Sequence, residues 1–418
     1  MQKVQFVYLL MLILSLSIHV HAQQNLSLRA SLQLAKRQNP DLKVLNYNIN
    51  AAESDVTTAK IRPNPNFNVQ TLHITNADNR TAGTSWSNPV NNQYWYQLTK
   101  PFQLPSQRLN KIDFSNKLVA QSKLDVNESG RSIYFTTANK WLDVWAANIN
   151  LTILQKGKAN IDSLVVINEF RLKDKVITTT DLERTELLQQ QYQRNIVTAM
   201  QNYANEIQNL KYLVGSPDSI SIDLQDNTFS SINSIGDSLI SIGVHNRSDV
   251  LSAKNAIDVS TVNVKLQKSF AYPQPEAGMM YNPQNSVPYL GFYGTISIPV
   301  FDRNQGQREK AEVFKLQADQ NLWATERQAE TEVNTSYRSY VVQRKNLADY
   351  EKNLQQAETI LSSVRYSYIK GGTSIIDLLE AQRSWLDTQQ EYYSTMLDFR
   401  RSYVQLLFAT GIINQLAE

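Results

Sequence analysis

Two very long stretches without a proline constrain this chain most. They run from Lys111 to Arg171 and from Gln307 to Lys370, and glycine enters their interiors only at Gly130 and Gly157. At a rise of 1.5 Å, about sixty helical residues reach roughly 90 Å, a length no globular core needs, so coiled-coil packing is expected. The apolar spacing agrees. Leu347, Tyr350, Leu354, Ala357, Leu361, Val364 and Tyr368 alternate steps of three and four, and Trp385, Tyr392, Phe399 and Leu406 step by seven, with Met396 and Tyr403 between. A sustained 3.5-residue period makes helices supercoil on their neighbours.

The same programme is written twice. A helix expected from about Leu28 to Ile61 ends in Pro63-Asn64-Pro65, and its counterpart from about Ser238 to Phe270 ends in Pro273-Gln274-Pro275. Proline lacks an N–H and biases the residue before it toward extended geometry, so each pair stops its helix. Strand-like segments follow. Leu290, Phe292, Ile296, Ile298 and Val300 alternate with Tyr289, Gly291, Tyr293, Thr295 and Ser297, the period of two that gives a strand one apolar and one polar face. Tyr94, Tyr96 and Leu98 alternate with Trp95, Gln97 and Thr99 in the first copy; Asn66 to Thr75 alternates less cleanly, and Met279-Met280-Tyr281 is a weak fourth candidate. The long helices turn at matched points, Lys175 to Leu182 against Gly371 to Leu378, and the copies close at Gly215 and Gly411.

The first residues bear on compartment. Lys3, the apolar run Phe6 to Ile18 and the small-residue site Val20-His21-Ala22 form the pattern of a cleaved secretory signal, with a membrane anchor as the less favoured reading because the run is short for a bilayer. The expected organisation is therefore a signal over 1–22, a first repeat over 23–215, a connector over 216–237, a second repeat over 238–411 and a tail over 412–418. The chain has no cysteine, which excludes disulfides and thiolate metal sites, and its 41 basic and 38 acidic residues give no general case for nucleic acid. Of four histidines two lie in the signal, and His73 and His245 are far apart, so neither a metal site nor a cofactor is expected.

These features resemble the TolC-type outer-membrane efflux family over about residues 28 to 411. The motifs that carry the resemblance are Leu32 to Leu42, Pro63-Asn64-Pro65, Ile298 to Gly306 and Tyr368 to Arg383. The third is similar to the cation-efflux branch. The resemblance implies an α+β membrane protein built from a duplicated helix–hairpin–helix repeat. It implies a homotrimer, four β-strands per protomer in a twelve-stranded barrel in outer-membrane lipid, and a coiled-coil α-helical barrel across the periplasm. Four strands alone cannot close, and an open sheet facing lipid would leave its edge groups unsatisfied. Leu290, Phe292, Ile296, Ile298 and Val300 would face lipid, and Thr295 and Ser297 water.

A passive channel needs a closable constriction and a docking surface rather than a catalytic group. Asp377 and Glu380 lie three residues apart, on one helix face. In a trimer each would form a ring of carboxylates, which attracts cations and narrows a pore. The resemblance assigns this acidic pair to the periplasmic aperture and adds Tyr368 and Asp181 to the gate. The ordinary alternatives are a solvated helix N-terminus, where the macrodipole favours acids anyway, and for Tyr368 a last heptad position. Thr373 departs from members that carry an Arg there. The tip turns, Gly371-Gly372-Thr373 and Asp174-Lys175-Val176, are expected docking points for a periplasmic adaptor protein.

The leading expectation is the exit duct of a tripartite efflux pump, driven by an inner-membrane RND-type or ABC transporter and carrying metal cations or small toxic compounds. The alternatives are a protein-export duct of the type I secretion kind and a periplasmic coiled-coil adaptor or structural protein. A hydrolase using Asp377 and Glu380 as an acid–base pair is disfavoured, since carboxylates at this spacing make no cleft.

Overall fold

The computed structural model describes residues 24–226, 228–229, 236–284 and 287–418. The signal expected over 1–22 lies outside them, as does part of the connector expected over 216–237. In chain order the elements are β1 (Gln24–Leu26), α1 (Leu28–Gln38), α2 (Pro40–Lys60), β2 (Asn66–His73), β3 (Asn92–Pro101), α3 (Pro105–Lys173), α4 (Thr179–Val214), β4 (Ile220–Ile222), α5 (Gly236–Asn246), α6 (Ser248–Ser269), β5 (Pro275–Gln284), β6 (Val287–Ile296), α7 (Gln305–Ile369), α8 (Ile375–Ala409) and α9 (Ile413–Leu416). They divide into two compact units. Leu45–Asn127 with Ser248–Gln328 forms one; the segments up to Val44, Glu128–Arg247 and Ala329–Glu418 form the other.

The first unit holds a four-stranded antiparallel sheet in the order β2-β3-β5-β6. Its register aligns the side chains into rows. Val69 stands opposite Tyr96, Tyr96 opposite Tyr281 and Tyr281 opposite Leu290; Phe67, Leu98, Met279 and Phe292 form the next row. Because side chains alternate along a strand, these two rows share one face and are apolar throughout, with Lys100 near one end of that face and Thr71 and His73 near the other. The opposite face carries Asn68, Gln97, Met280 and Gly291, then Asn66, Thr99, Gly278 and Tyr293. Among the described residues nothing covers the apolar face: Phe292 is 88% exposed, Leu290 70% and Phe67 66%. Among the described residues β2 and β6 each pair on one side only.

One expectation needs correction in this unit, and a weak one is strengthened. Ile298 and Val300 are not strand residues, because β6 ends at Ile296; Pro299 has no N–H for a ladder, and the chain turns there through Val300 N–H to Ile298 O (2.9 Å). The weak candidate at Met279 to Tyr281 is the middle of a full ten-residue strand, β5.

The second unit is helical. Leu154, Ile161 and Val165 of α3, Tyr192 and Ile196 of α4, Leu361 and Tyr368 of α7, and Leu378 and Trp385 of α8 form one buried cluster. Every heptad position read from Leu347 to Tyr368 is at least half-buried, while most of the residues between are exposed. Gly157 is small for a packing reason: a Cβ there would lie 2.4 Å from the buried Tyr192 ring. The first helix of each repeat is broken in two. Asn39 separates α1 from α2, as extended backbone before Pro40 requires. Its amide donates to Leu213 O (2.8 Å), while its carbonyl oxygen accepts from Leu42 N (2.9 Å). Arg247 separates α5 from α6 and donates to Ala409 O (3.2 Å) and to Glu332 (2.6 Å). Both thus cap the last turn of a return helix. The expected connector is also partly regular, since β4 pairs in parallel with β1, Gln24 opposite Ile220.

Candidate functional site

The two tip turns are built alike. In the second copy Gly371 has φ 80°, with Gly371 N–H donating to Tyr368 O (3.0 Å) and Gly372 N–H to Ser367 O (2.8 Å). In the first, Lys175 has φ 57°, with Lys175 N–H donating to Leu172 O (2.9 Å) and Val176 N–H to Arg171 O (2.8 Å). This bond pair closes a helix through a left-handed residue, normally glycine. The first tip reaches it with a lysine.

Each return helix then starts with a reciprocal cap. Thr178 Oγ1 accepts from Asp181 N, and Asp181 Oδ2 accepts from Thr178 N (3.1 Å) and Oγ1 (2.8 Å). Ser374 and Asp377 repeat this in α8, where Asp377 Oδ2 accepts from Ser374 N (3.0 Å), Ser374 Oγ (2.7 Å) and Thr373 Oγ1 (2.6 Å). These hydrogen bonds favour the ionised form, so both carboxyls titrate below the ordinary value of 3.8, with the side-chain bonds from Thr178 and from Thr373 as the largest causes. One oxygen of Asp377 is thus occupied in starting its own helix. Glu380, one turn further on, is exposed.

Tyr368 is 2% exposed at the end of α7. Its hydroxyl donates to Asn168 Oδ1 (2.7 Å), Asn168 Nδ2 donates to Thr185 Oγ1 (2.9 Å), and Thr185 Oγ1 donates to Asp181 O (3.0 Å). Arg171 lies 4.3 Å over the Tyr368 ring and donates to Tyr368 O (2.6 Å). Burial pushes the Tyr368 hydroxyl above its ordinary value of 10.0. One chain of bonds therefore ties α7 to α3 and α4 beside both tips. Within a single chain Tyr368 does not bond to Asp181, which reaches it only through charge. Asn168, Thr185 and Arg171 are additions to the residues singled out from sequence. A signal for two of them existed: Asn168 stands at a core spacing from Ile161 and Val165, and Thr185, Tyr192 and Ala199 step by seven.

The remaining singled-out residues, Leu290, Phe292 and Ile296, lie in the sheet unit on its exposed apolar face. No helix among the described residues is long and apolar enough to cross a membrane, and no cluster of His, Asp or Glu among them has the arrangement to hold a metal ion.

The profile of the outer membrane efflux protein family matches residues 239–412. Solved structures share the fold over nearly the whole chain. CusC, described as forming a transmembrane channel, is 16% identical with a TM-score of 0.76, covering 94% of this chain and 95% of its own. The outer membrane channel CmeC of Campylobacter jejuni is 16% identical with a TM-score of 0.73, covering 92% of this chain and 85% of its own. The MtrE outer membrane channel of Neisseria gonorrhoeae, in its open state, is 14% identical with a TM-score of 0.73, covering 92% and 88%. No curated protein sequence matches the chain significantly.

Proposed function

We propose, from the match of residues 239–412 to the outer membrane efflux protein family, that this chain is one third of an outer-membrane channel, the passive exit duct of a tripartite pump. The observation that carries the reading is the sheet. It has one apolar face exposed across four strands, one polar face, and two unpaired edges. In water such a face is a liability, and in lipid such edges are. Three copies joined β2 to β6 remove both problems, with the apolar rows toward lipid and Asn68, Gln97 and Thr99 toward a wet lumen. The long helices would extend the duct into the periplasm, with the tips meeting an adaptor protein and, through it, an inner-membrane RND-type or ABC transporter.

Metal cations or small toxic compounds are the substrates this reading favours. The motif from Ile298 to Gly306, similar to the cation-efflux branch, supports it, as do the carboxylates of Asp377 and Glu380, which would ring the aperture. Expression of the full chain with cell fractionation tests the core of the proposal. The expected outcome is a heat-modifiable trimer in the outer-membrane fraction. A soluble periplasmic monomer would instead favour the coiled-coil structural reading.

A further inference from the structure

The junction between sheet and helices carries groups that the duct itself leaves unused. Its four chain crossings, 60–65, 100–111, 265–276 and 297–310, all belong to the sheet unit. They hold ten basic residues and three acidic ones, although the whole chain is nearly balanced at 41 and 38. Arg62, Lys100 and Arg108 line one cavity of about 340 Å³ with Phe102 and Leu109. Lys265, Lys268 and Arg308 line another of about 450 Å³ with Tyr272.

The opposing charges are few. Lys268 pairs with Glu312 at 2.8 Å; Glu276, Asp302 and Glu309 are the three acidic residues within the crossings. The Nε atoms of Arg108 and Arg308 are buried without a hydrogen-bond partner among the described residues, although Arg108 Nη2 donates to Lys60 O (3.0 Å). A buried donor left unpaired is costly, so an acceptor brought to it is rewarded. Both long helices also begin here, at Pro105 and Gln305, and add the positive ends of their dipoles.

Beside these cations stand apolar side chains in the open. Phe301 is 93% exposed, Ile298 78% and Tyr272 63%. Nucleic acid or an acidic protein would satisfy the cations and leave Phe301 and Ile298 in water. A phospholipid satisfies both, its phosphate on the basic groups and its glycerol and upper acyl region on the apolar ones.

We propose that this junction binds the phosphate headgroups of anionic phospholipid and seats the sheet at one leaflet. The inference rests on the reading of the sheet as part of a membrane barrel. The crossings give the apolar band a charged lower rim, which resists sliding along the membrane normal. They also explain why Ile298 and Val300 stay apolar although the strand has ended.

The test uses the full-length protein reconstituted in bilayers of phosphatidylcholine alone or with phosphatidylglycerol, with bound lipid read by native mass spectrometry. Retention of phosphatidylglycerol over phosphatidylcholine is expected. Each basic residue near a membrane surface is worth about fivefold in binding. The variant Arg62→Gln with Lys100→Gln should therefore lose roughly 25-fold of that preference, Arg62→Lys should keep it, and excess inorganic phosphate should not displace the lipid. Should the double variant fail to fold, Arg303→Gln with Lys310→Gln gives the same comparison. Equal retention of the two lipids by inserted trimers, an unchanged variant, or displacement by inorganic phosphate would each overturn the inference alone. Failure to insert into any bilayer would overturn it together with the barrel reading.

Discussion

At the scale of single residues the two tips differ by one strained position. Lys175 holds a left-handed conformation that Gly371 adopts freely. A side chain there costs on the order of 1 kcal/mol, partly offset by the extra entropy glycine has when unfolded. Lys175→Gly should stabilise the first tip by about a few tenths of a kcal/mol, visible as slower amide exchange at Val176, and Gly371→Ala should loosen the second. The paired caps carry a pH signature. Asp181 and Asp377 titrate below 3.8 when folded, so the unfolded chain binds more protons in that window. Their contribution is complete above about pH 4 and lost as pH falls through the depressed folded values. Amide protection at the starts of α4 and α8, taken relative to the intrinsic exchange rate at each pH, should therefore fall on acidification, and Asp377→Asn should remove the α8 part of that fall. The turns were legible in sequence as the matched segments Lys175 to Leu182 and Gly371 to Leu378; the caps that start their return helices were not. The bonds of Tyr368 were not. Asn168 lies 200 residues away in the chain, and a polar residue at a core position reads as a lapse until its partner is in place.

At the scale of elements, periodicity carried the long helices and β6 and was weaker for the rest. β5 reads poorly because Gly278, Met279 and Met280 have little strand preference of their own; its place between β3 and β6 comes from pairing on both sides. Pairing register then decides which residues form an apolar row, and a slip of one position would send Phe67 and Val69 to the polar face. For the proposed trimeric barrel this bears directly on membrane insertion. Phe292→Arg puts a charge on the apolar face and should cost about 2–4 kcal/mol near mid-bilayer, lowering the yield of heat-modifiable trimer. Thr295→Arg, on the opposite face, should leave that yield nearly unchanged and alter conductance instead.

At the scale of the whole molecule, the proposed trimer turns single side chains into rings. Asp377→Asn with Glu380→Gln should change single-channel conductance or cation block in reconstituted trimers; unchanged behaviour would assign Asp377 to helix capping alone. The sequence by itself determined the duplication, the coiled-coil helices and the presence of strands, because proline placement and apolar period act through neighbours a few residues away. It also exposed the acidic pair and the tip glycines. Only the tertiary structure decided the strand register, the break at Arg247, and the bonds that tie Tyr368 to Asn168. Each depends on a partner far along the chain, and local periodicity carries no record of which distant partner a side chain will meet.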